Sequence, residues 1–284
     1  MTVEYSATVL NLSSFLDHHA KLSPNAEAVV WGDIRLTYSQ LHASANKVAN
    51  ALVKMGIGHG DKVALSCPNL PYFPIVYYGI LKAGAVVVPL SVLFKPREIA
   101  YHLSDSDAKA VFVFEGTDEL PLAENVKHGF DEVESCTDLI VMTKTPTGDS
   151  PYPEHKTLAQ LIGAESGEFE TFPTSPNDTC TILYTSGTTG QPKGAELTHL
   201  NVWSNSVTTY SIHLPMLDFT DGVQKTCLIT LPLFHTTGQT VQMNTNLYAG
   251  NRVVLLPRFE PQATLETMVK ERVNFWVGVP TMYW

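Results

Sequence analysis

The chain has 284 residues, 44% hydrophobic and 16% charged, with four cysteines and a net charge of −10. That length and apolar content suit one large or two modest domains with a full core, and exclude disorder driven by self-repulsion. The widely spaced cysteines (Cys67, Cys136, Cys180, Cys227) form no C-x-x-C. They argue against a disulfide scaffold or zinc ribbon and suit a reducing, cytoplasmic compartment.

The charge is unevenly placed. Residues 115–178 carry 14 acids and 3 bases, whereas the rest of the chain sums to +1. No basic stripe forms, so nucleic acid is not an expected partner; the acidic segment reads as a solvated surface. The first lysine is Lys21, which leaves no basic region ahead of an apolar signal core. The most apolar stretch, 75–90, is broken by Lys82 and Gly84 and is too short to cross a bilayer. This leaves peripheral membrane contact and a homodimer open.

In chain order, 28–31 and 34–38 read as strands around a Gly32-Asp33 turn. Thr37 and Gln40 have capping-box spacing before a helix whose stripe (Leu41, Ala45, Val48, Leu52) runs to Gly56. Strand-like runs follow at 62–67, 86–90, 110–114 and 139–143. Asn69 and Pro71 open a helix ending near Gly84, and Pro96 opens another to about Leu103. Two Pro/Ser/Thr/Gly-rich stretches, 145–156 and 166–178, read as loops, the second as the best internal boundary. Beyond it lie a strand at 179–185, a helix capped by Thr198 and reaching Tyr210, and strands at 226–231 and 252–256. Pro261 opens a helix to about Arg272, and 274–279 is a last strand.

This βαβ rhythm predicts an α/β fold, helices on largely parallel sheets. The expected organisation is a first subdomain over about 1–170 and, over about 171–284, a phosphate-loop segment and the start of a second, with the chain free to weave between them. The last ten residues are apolar to Trp284 and read as the middle of an element in a truncated chain.

One segment carries most of the chemistry: Tyr184-Thr185-Ser186-Gly187-Thr188-Thr189-Gly190-Gln191-Pro192-Lys193-Gly194. Glycines let backbone N–H groups turn toward a ligand, and hydroxyls with an ammonium complete a polyphosphate cradle. Rival motifs fail. A Walker A loop starting at Gly187 would need Gly at 192 and Ser or Thr at 194, where Pro192 and Gly194 stand. Gly56-Ile57-Gly58-His59-Gly60 has its third glycine one residue early for a dinucleotide fingerprint, and it precedes a strand. Nine of the ten histidines show no metal pairing, and no nucleophile triad is evident.

Residues 184–194 resemble the phosphate loop of the adenylate-forming superfamily, which includes acyl-CoA synthetases, peptide adenylation domains and luciferases. Leu197-Thr198-His199-Leu200-Asn201, Leu231-Pro232-Leu233-Phe234-His235-Thr236-Thr237-Gly238 and Gly278-Val279-Pro280-Thr281-Met282-Tyr283 extend the likeness, with a weaker one at Leu81-Lys82-Ala83-Gly84-Ala85.

The resemblance implies the amino-terminal part of an acyl-CoA synthetase, two β-sheets flanked by helices. Its reaction takes a carboxylic acid and ATP to acyl-AMP and pyrophosphate, and coenzyme A then displaces AMP. It implies that Thr185, Ser186, Gly187, Thr188, Thr189, Gly190 and Lys193 cradle the phosphates, with Thr185 touching Mg²⁺. It also implies that His235 acts beside the carboxylate and adenylate, and that Val279, Pro280 and Thr281 border the acyl pocket. Gly238 is expected to leave room for an extended chain, which favours a long-chain fatty acid. Aryl-, short-chain and dicarboxylate-CoA ligases share the loop, as do fatty-acyl-AMP ligases; a non-catalytic nucleotide-binding fragment and a P-loop hydrolase are the readings from other classes. The family's adenine and ribose contacts, its hinge and its lysine-bearing carboxy-terminal domain match nothing in the chain, so the isolated chain is expected not to turn over.

Overall fold

A computed structural model describes residues 8–185, 190–213 and 222–284. The chain opens with α1 (Ser14–Leu22), the hairpin β1 (Glu27–Trp31) and β2 (Ile34–Thr37), and α2 (Tyr38–Lys54). Then come β3 (Lys62–Ser66), α3 (Tyr72–Lys82), β4 (Val86–Pro89), α4 (Pro96–Asp105), β5 (Ala108–Phe114), α5 (Leu122–Phe130), β6 (Asp138–Met142) and α6 (Leu158–Ile162). The remainder is β7 (Thr179–Thr185), β8 (Lys193–Thr198), α7 (His199–His213), β9 (Thr226–Ile229), a π-helix (Thr237–Asn244), α8 (Thr245–Tyr248), β10 (Arg252–Leu255), α9 (Pro261–Lys270), β11 (Phe275–Trp276) and a short 3₁₀ turn (Pro280–Met282).

Two mostly parallel sheets form, each with one antiparallel edge strand. One runs β6-β5-β3-β4-β7-β8 and the other β11-β9-β10-β1-β2. The chain weaves between them: the amino-terminal hairpin joins the sheet built from 226–276, and β7–β8 complete the sheet begun at residue 62. No break between the sheets falls near residue 170. The 166–178 stretch is strapped to the helices instead, Asn50 donating to the carbonyls of Ser166 and Glu168, and Phe172 N to Lys82 O.

Alternation along the strands separates the layers, because neighbouring side chains point to opposite faces. Val63 and Leu65 pack with α2 and α3 and with Val29, Ile229 and Val253 of the other sheet, in one core. Ala64, Val111 and Val113 face the opposite way, onto α4 and α5. Val30, Leu228 and Val254 face Met268 of α9. Helices α2 and α3 are thus sandwiched between the sheets. They cross closely because Gly79 has no Cβ, which would sit 2.5 Å from Val48 Cβ.

Local signals explain most elements. Thr37 accepts from Gln40 N while Gln40 Oε1 accepts from Thr37 N, the reciprocal cap expected for α2. Thr198 and Asn201 do the same for α7. All four residues of β4 are buried, as in a central parallel strand.

Several elements were not expected, α1, α6 and α8 among them. Helix α5 lies within the acidic segment, burying Leu122, Ala123, Val126 and Gly129 while Glu124 and Asp131 face out. Strand β8 falls in what reads as loop; its first four residues are exposed and only its pairing with β7 defines it. The π-helix buries Gln239, Gln242 and Asn244 completely, so it shows no amphipathic stripe. Helix α3 meets two of these residues, the Tyr78 hydroxyl donating to Asn244 Oδ1 (2.8 Å) and that of Tyr77 to Gln239 Oε1 (3.3 Å), while Gln242 donates to the carbonyls of Leu228 and Val277. The last strand is shorter than the expected 274–279. All four cysteines are free and buried. Among the described residues no helix is long and apolar enough to cross a membrane.

Candidate active site

Strands β7 and β8 form a hairpin with Tyr184 opposite Gly194 and Thr185 opposite Lys193. The glycine- and hydroxyl-rich segment joins these stems. Ser186, Gly187, Thr188 and Thr189 lie outside the described residues; Gly190 has φ +151°, a conformation that favours glycine. Thr185 and Lys193 are both exposed, so a hydroxyl and an ammonium sit side by side at the hairpin mouth.

His235 comes from the other sheet. After β9 the chain turns, His235 N donating to Pro232 O at 3.0 Å, and the π-helix follows. Asn69, just beyond β3, holds this turn across the gap between sheets. Its Oδ1 accepts from Leu233 N (2.9 Å), and its Nδ2 lies 3.0 Å from the carbonyls of both Leu231 and Leu256. The sequence suggested Asn69 as a helix opener; α3 starts at Tyr72 with no side-chain cap, and Asn69 is spent on the second sheet. A polar residue embedded in the apolar run 63–90 was the one signal available. The His235 ring is exposed, its Nδ1 accepting from Thr237 N at 3.4 Å, so it is not a core histidine.

Thr185 and His235 line one cleft of about 350 Å³ at the carboxyl ends of β4, β7 and β9. Its walls are Phe94, Leu183, Leu197 and Phe234, with Ser91, Tyr184 and Thr236 adding hydroxyls. Substrate clefts combine such apolar walls with few polar groups. No carboxylate is among the described lining residues. Mg²⁺ favours oxygen ligands and is commonly held by one or two carboxylates together with substrate phosphates. With only hydroxyls here, and no His/Cys/Asp/Glu cluster for a metal among the described residues, this cleft suits Mg²⁺ arriving with a nucleotide. Clefts of about 240 and 430 Å³ elsewhere hold none of the expected site residues.

The structure corrects one expectation and places three further residues. Gly238 does not open a channel: a Cβ there would lie 2.3 Å from Pro232 O and 2.8 Å from Leu231 O. Its bareness lets the π-helix start against the turn that carries His235. Val279, Pro280 and Thr281 do not line the described cleft; all three are exposed. They follow β11 on the far side of β9, where Trp276 Nε1 donates to the Thr230 hydroxyl at 2.9 Å.

A two-sheet α/β fold thus brings the stem of a hydroxyl- and glycine-rich hairpin and a histidine from the other sheet to one cleft. The sequence pattern of the family described as AMP-binding enzyme matches residues 16–284, and the chain belongs to that family. A long-chain-fatty-acid–CoA ligase of Bacillus subtilis is 30% identical over 96% of this chain and 50% of the relative. A feruloyl-CoA synthase of Amycolatopsis is 31% identical over 96% and 49%. The anthranilate CoA ligase AuaEII, solved with anthranoyl-AMP, superposes with a TM-score of 0.84 at 25% identity, covering all of this chain and 52% of that one. The inhibitor-bound N-terminal domain of FACL13 from Mycobacterium tuberculosis superposes with 0.79 at 30% identity, covering 96% and 64%. The chain spans about half the length of the curated relatives it matches.

Proposed function

We propose that the chain supplies the phosphate loop and part of the acid site of an AMP-forming acid–thiol ligase. The enzyme joins a carboxylic acid to AMP at the expense of ATP, and then transfers the acyl group to coenzyme A. The observation that carries this reading is that Thr185, the cross-strand partner of Lys193, lines one apolar cleft together with His235. The carboxylate oxygen is the nucleophile at the α-phosphorus, so the protein's part is to place it and offset charge. Lys193 and the loop amides meet the phosphate oxygens, Thr185 adds a hydroxyl to Mg²⁺ brought by ATP, and the His235 imidazole orients the acid.

A long-chain fatty acid remains the first candidate, on the apolar walls and the Bacillus relative, although Gly238 no longer supports it. An aryl acid is the second reading, favoured by Phe94 and Phe234 in the cleft and by the anthranoyl-AMP-bound neighbour. The test is ATP–pyrophosphate exchange by the full-length protein across acetate, octanoate, palmitate, benzoate and ferulate. Exchange that depends on one class of acid assigns the substrate; no exchange with any carboxylic acid overturns the reading.

A further inference from the structure

Helix α4 carries no residue of the family segments, yet it touches both stems of the phosphate hairpin. The Tyr184 hydroxyl donates to Asp105 Oδ2 at 2.6 Å, and the Tyr101 hydroxyl donates to the Pro192 carbonyl at 2.7 Å. Tyr184 directly precedes Thr185, and Pro192 directly precedes Lys193. Tyr101 and Asp105 are four residues apart and so lie on one face of the helix. Between them His102, almost fully buried, meets the Tyr184 ring edge-on at 4.3 Å and stacks on Phe94 at 4.4 Å, and both rings line the cleft.

The hairpin needs outside anchors. Strand β8 is an edge strand whose first four residues are exposed, so burial does little to hold its start. Pro192 has no N–H, and its carbonyl is the one backbone group it can offer.

We propose that Tyr101 and Asp105 are positioning residues for ATP, a clamp on α4 that fixes the spacing of Thr185 and Lys193. This rests on the hairpin being the phosphate loop. The clamp acts first on phosphate binding: neither Tyr101 nor Asp105 lines the cleft that holds His235, and only Tyr184, held by Asp105, does.

The test compares Tyr101→Phe, Asp105→Ala and Asp105→Asn in the full-length protein. Asn keeps an oxygen for the Tyr184 hydroxyl. In ATP–pyrophosphate exchange, Tyr101→Phe and Asp105→Ala raise the KM for ATP about three- to tenfold, the effect expected of one lost hydrogen bond. Tyr101→Phe leaves the KM for the acid and the melting temperature at wild-type values, and Asp105→Asn recovers most of the ATP affinity. An unchanged KM for ATP, or equal rises in both KM values, overturns the clamp. Amide hydrogen exchange of the β7 and β8 stems gives a readout that needs no activity: it quickens in Tyr101→Phe and Asp105→Ala, and unchanged exchange overturns the clamp on its own. A wild type that exchanges no pyrophosphate with any acid refutes the ligase reading, while the amide measurement still decides whether α4 holds the hairpin.

Discussion

The Lys82 ammonium is fully buried and is paired with the carboxylate of Asp17, whose side chain keeps 26% of its surface in water. Thr171 donates to the same carboxylate at 3.0 Å, and His42 approaches it at 3.2 Å. The pair joins α1 to the end of α3 beneath the 166–178 strap.

This asymmetry of burial predicts unequal mutants. Asp17→Ala strands a buried cation, and losing one partner of a buried pair costs about 3–5 kcal/mol. Lys82→Met leaves Asp17 with His42, Thr171 and solvent, so it costs less, and the double variant Asp17→Leu/Lys82→Met lies nearer the wild type. Burial pushes the Asp17 carboxyl up, but its bonds to His42, Lys82 and Thr171 bring it down to about 2, from an ordinary value of 3.8. Its contribution is therefore complete above about pH 4 and is lost as pH falls towards 2. Denaturant melts of the three variants check the order, and equal losses for the two single variants would contradict it.

A second pH dependence lies in a milder range. Burial lowers His199 from 6.5 to about 4, against the opposing pull of Asp178. Its Nδ1 accepts from Leu12 N at 3.0 Å. Between these pH values the unfolded chain takes up a proton that the folded chain refuses. Stability is therefore full above about pH 6.5 and falls by about 3 kcal/mol as pH drops to 4. Burial also lowers His19 and His102, which add to the slope. The informative comparison is with His199→Asn, whose Oδ1 can still meet Leu12 N; its melting temperature falls less between pH 7 and 4.5, and a parallel slope would refute the assignment.

Gly238→Ala is expected to fail for backbone reasons. The new methyl meets the Pro232 and Leu231 carbonyls, which cannot swing aside, and overpacking of this kind costs about 1–3 kcal/mol. The displaced turn carries His235, so activity falls for every acid together. Relative kcat/KM across chain lengths, read beside the melting temperature, is the measurement. Selective loss on long acids with an unchanged melt would restore the channel idea.

Thr185→Val and Lys193→Ala test the phosphate reading in the described stems. Both residues are exposed, so each change should alter stability by less than about 0.5 kcal/mol. Each removes a donor to a charged oxygen, and such bonds contribute about 1.5–3 kcal/mol. ATP affinity should therefore fall by about tenfold or more with an unchanged melt. Normal affinity in both variants would make the hairpin a plain turn.

Local chemistry was legible along the sequence wherever a short-range signal exists. The capping pair at 37/40, the cap at Thr198, the Gly32-Asp33 turn, most apolar strands and the family membership carried by the order of residues 184–194 all read correctly. Strand β8 was not legible, because an edge strand exposed on both faces has no alternation and exists through its partner. The π-helix was not, because Gln239 and Asn244 are buried against tyrosines 160 or more residues away. For Gly238 the sequence shows that a small residue stands there, and only the structure shows that a carbonyl occupies the space. The sequence by itself therefore determined the family and the strand–helix rhythm, which depend on residues within a few positions of one another. Tertiary structure decided how the chain weaves between its sheets and that Asn69 holds the His235 turn near Thr185, since these depend on groups that meet only once the intervening chain has folded.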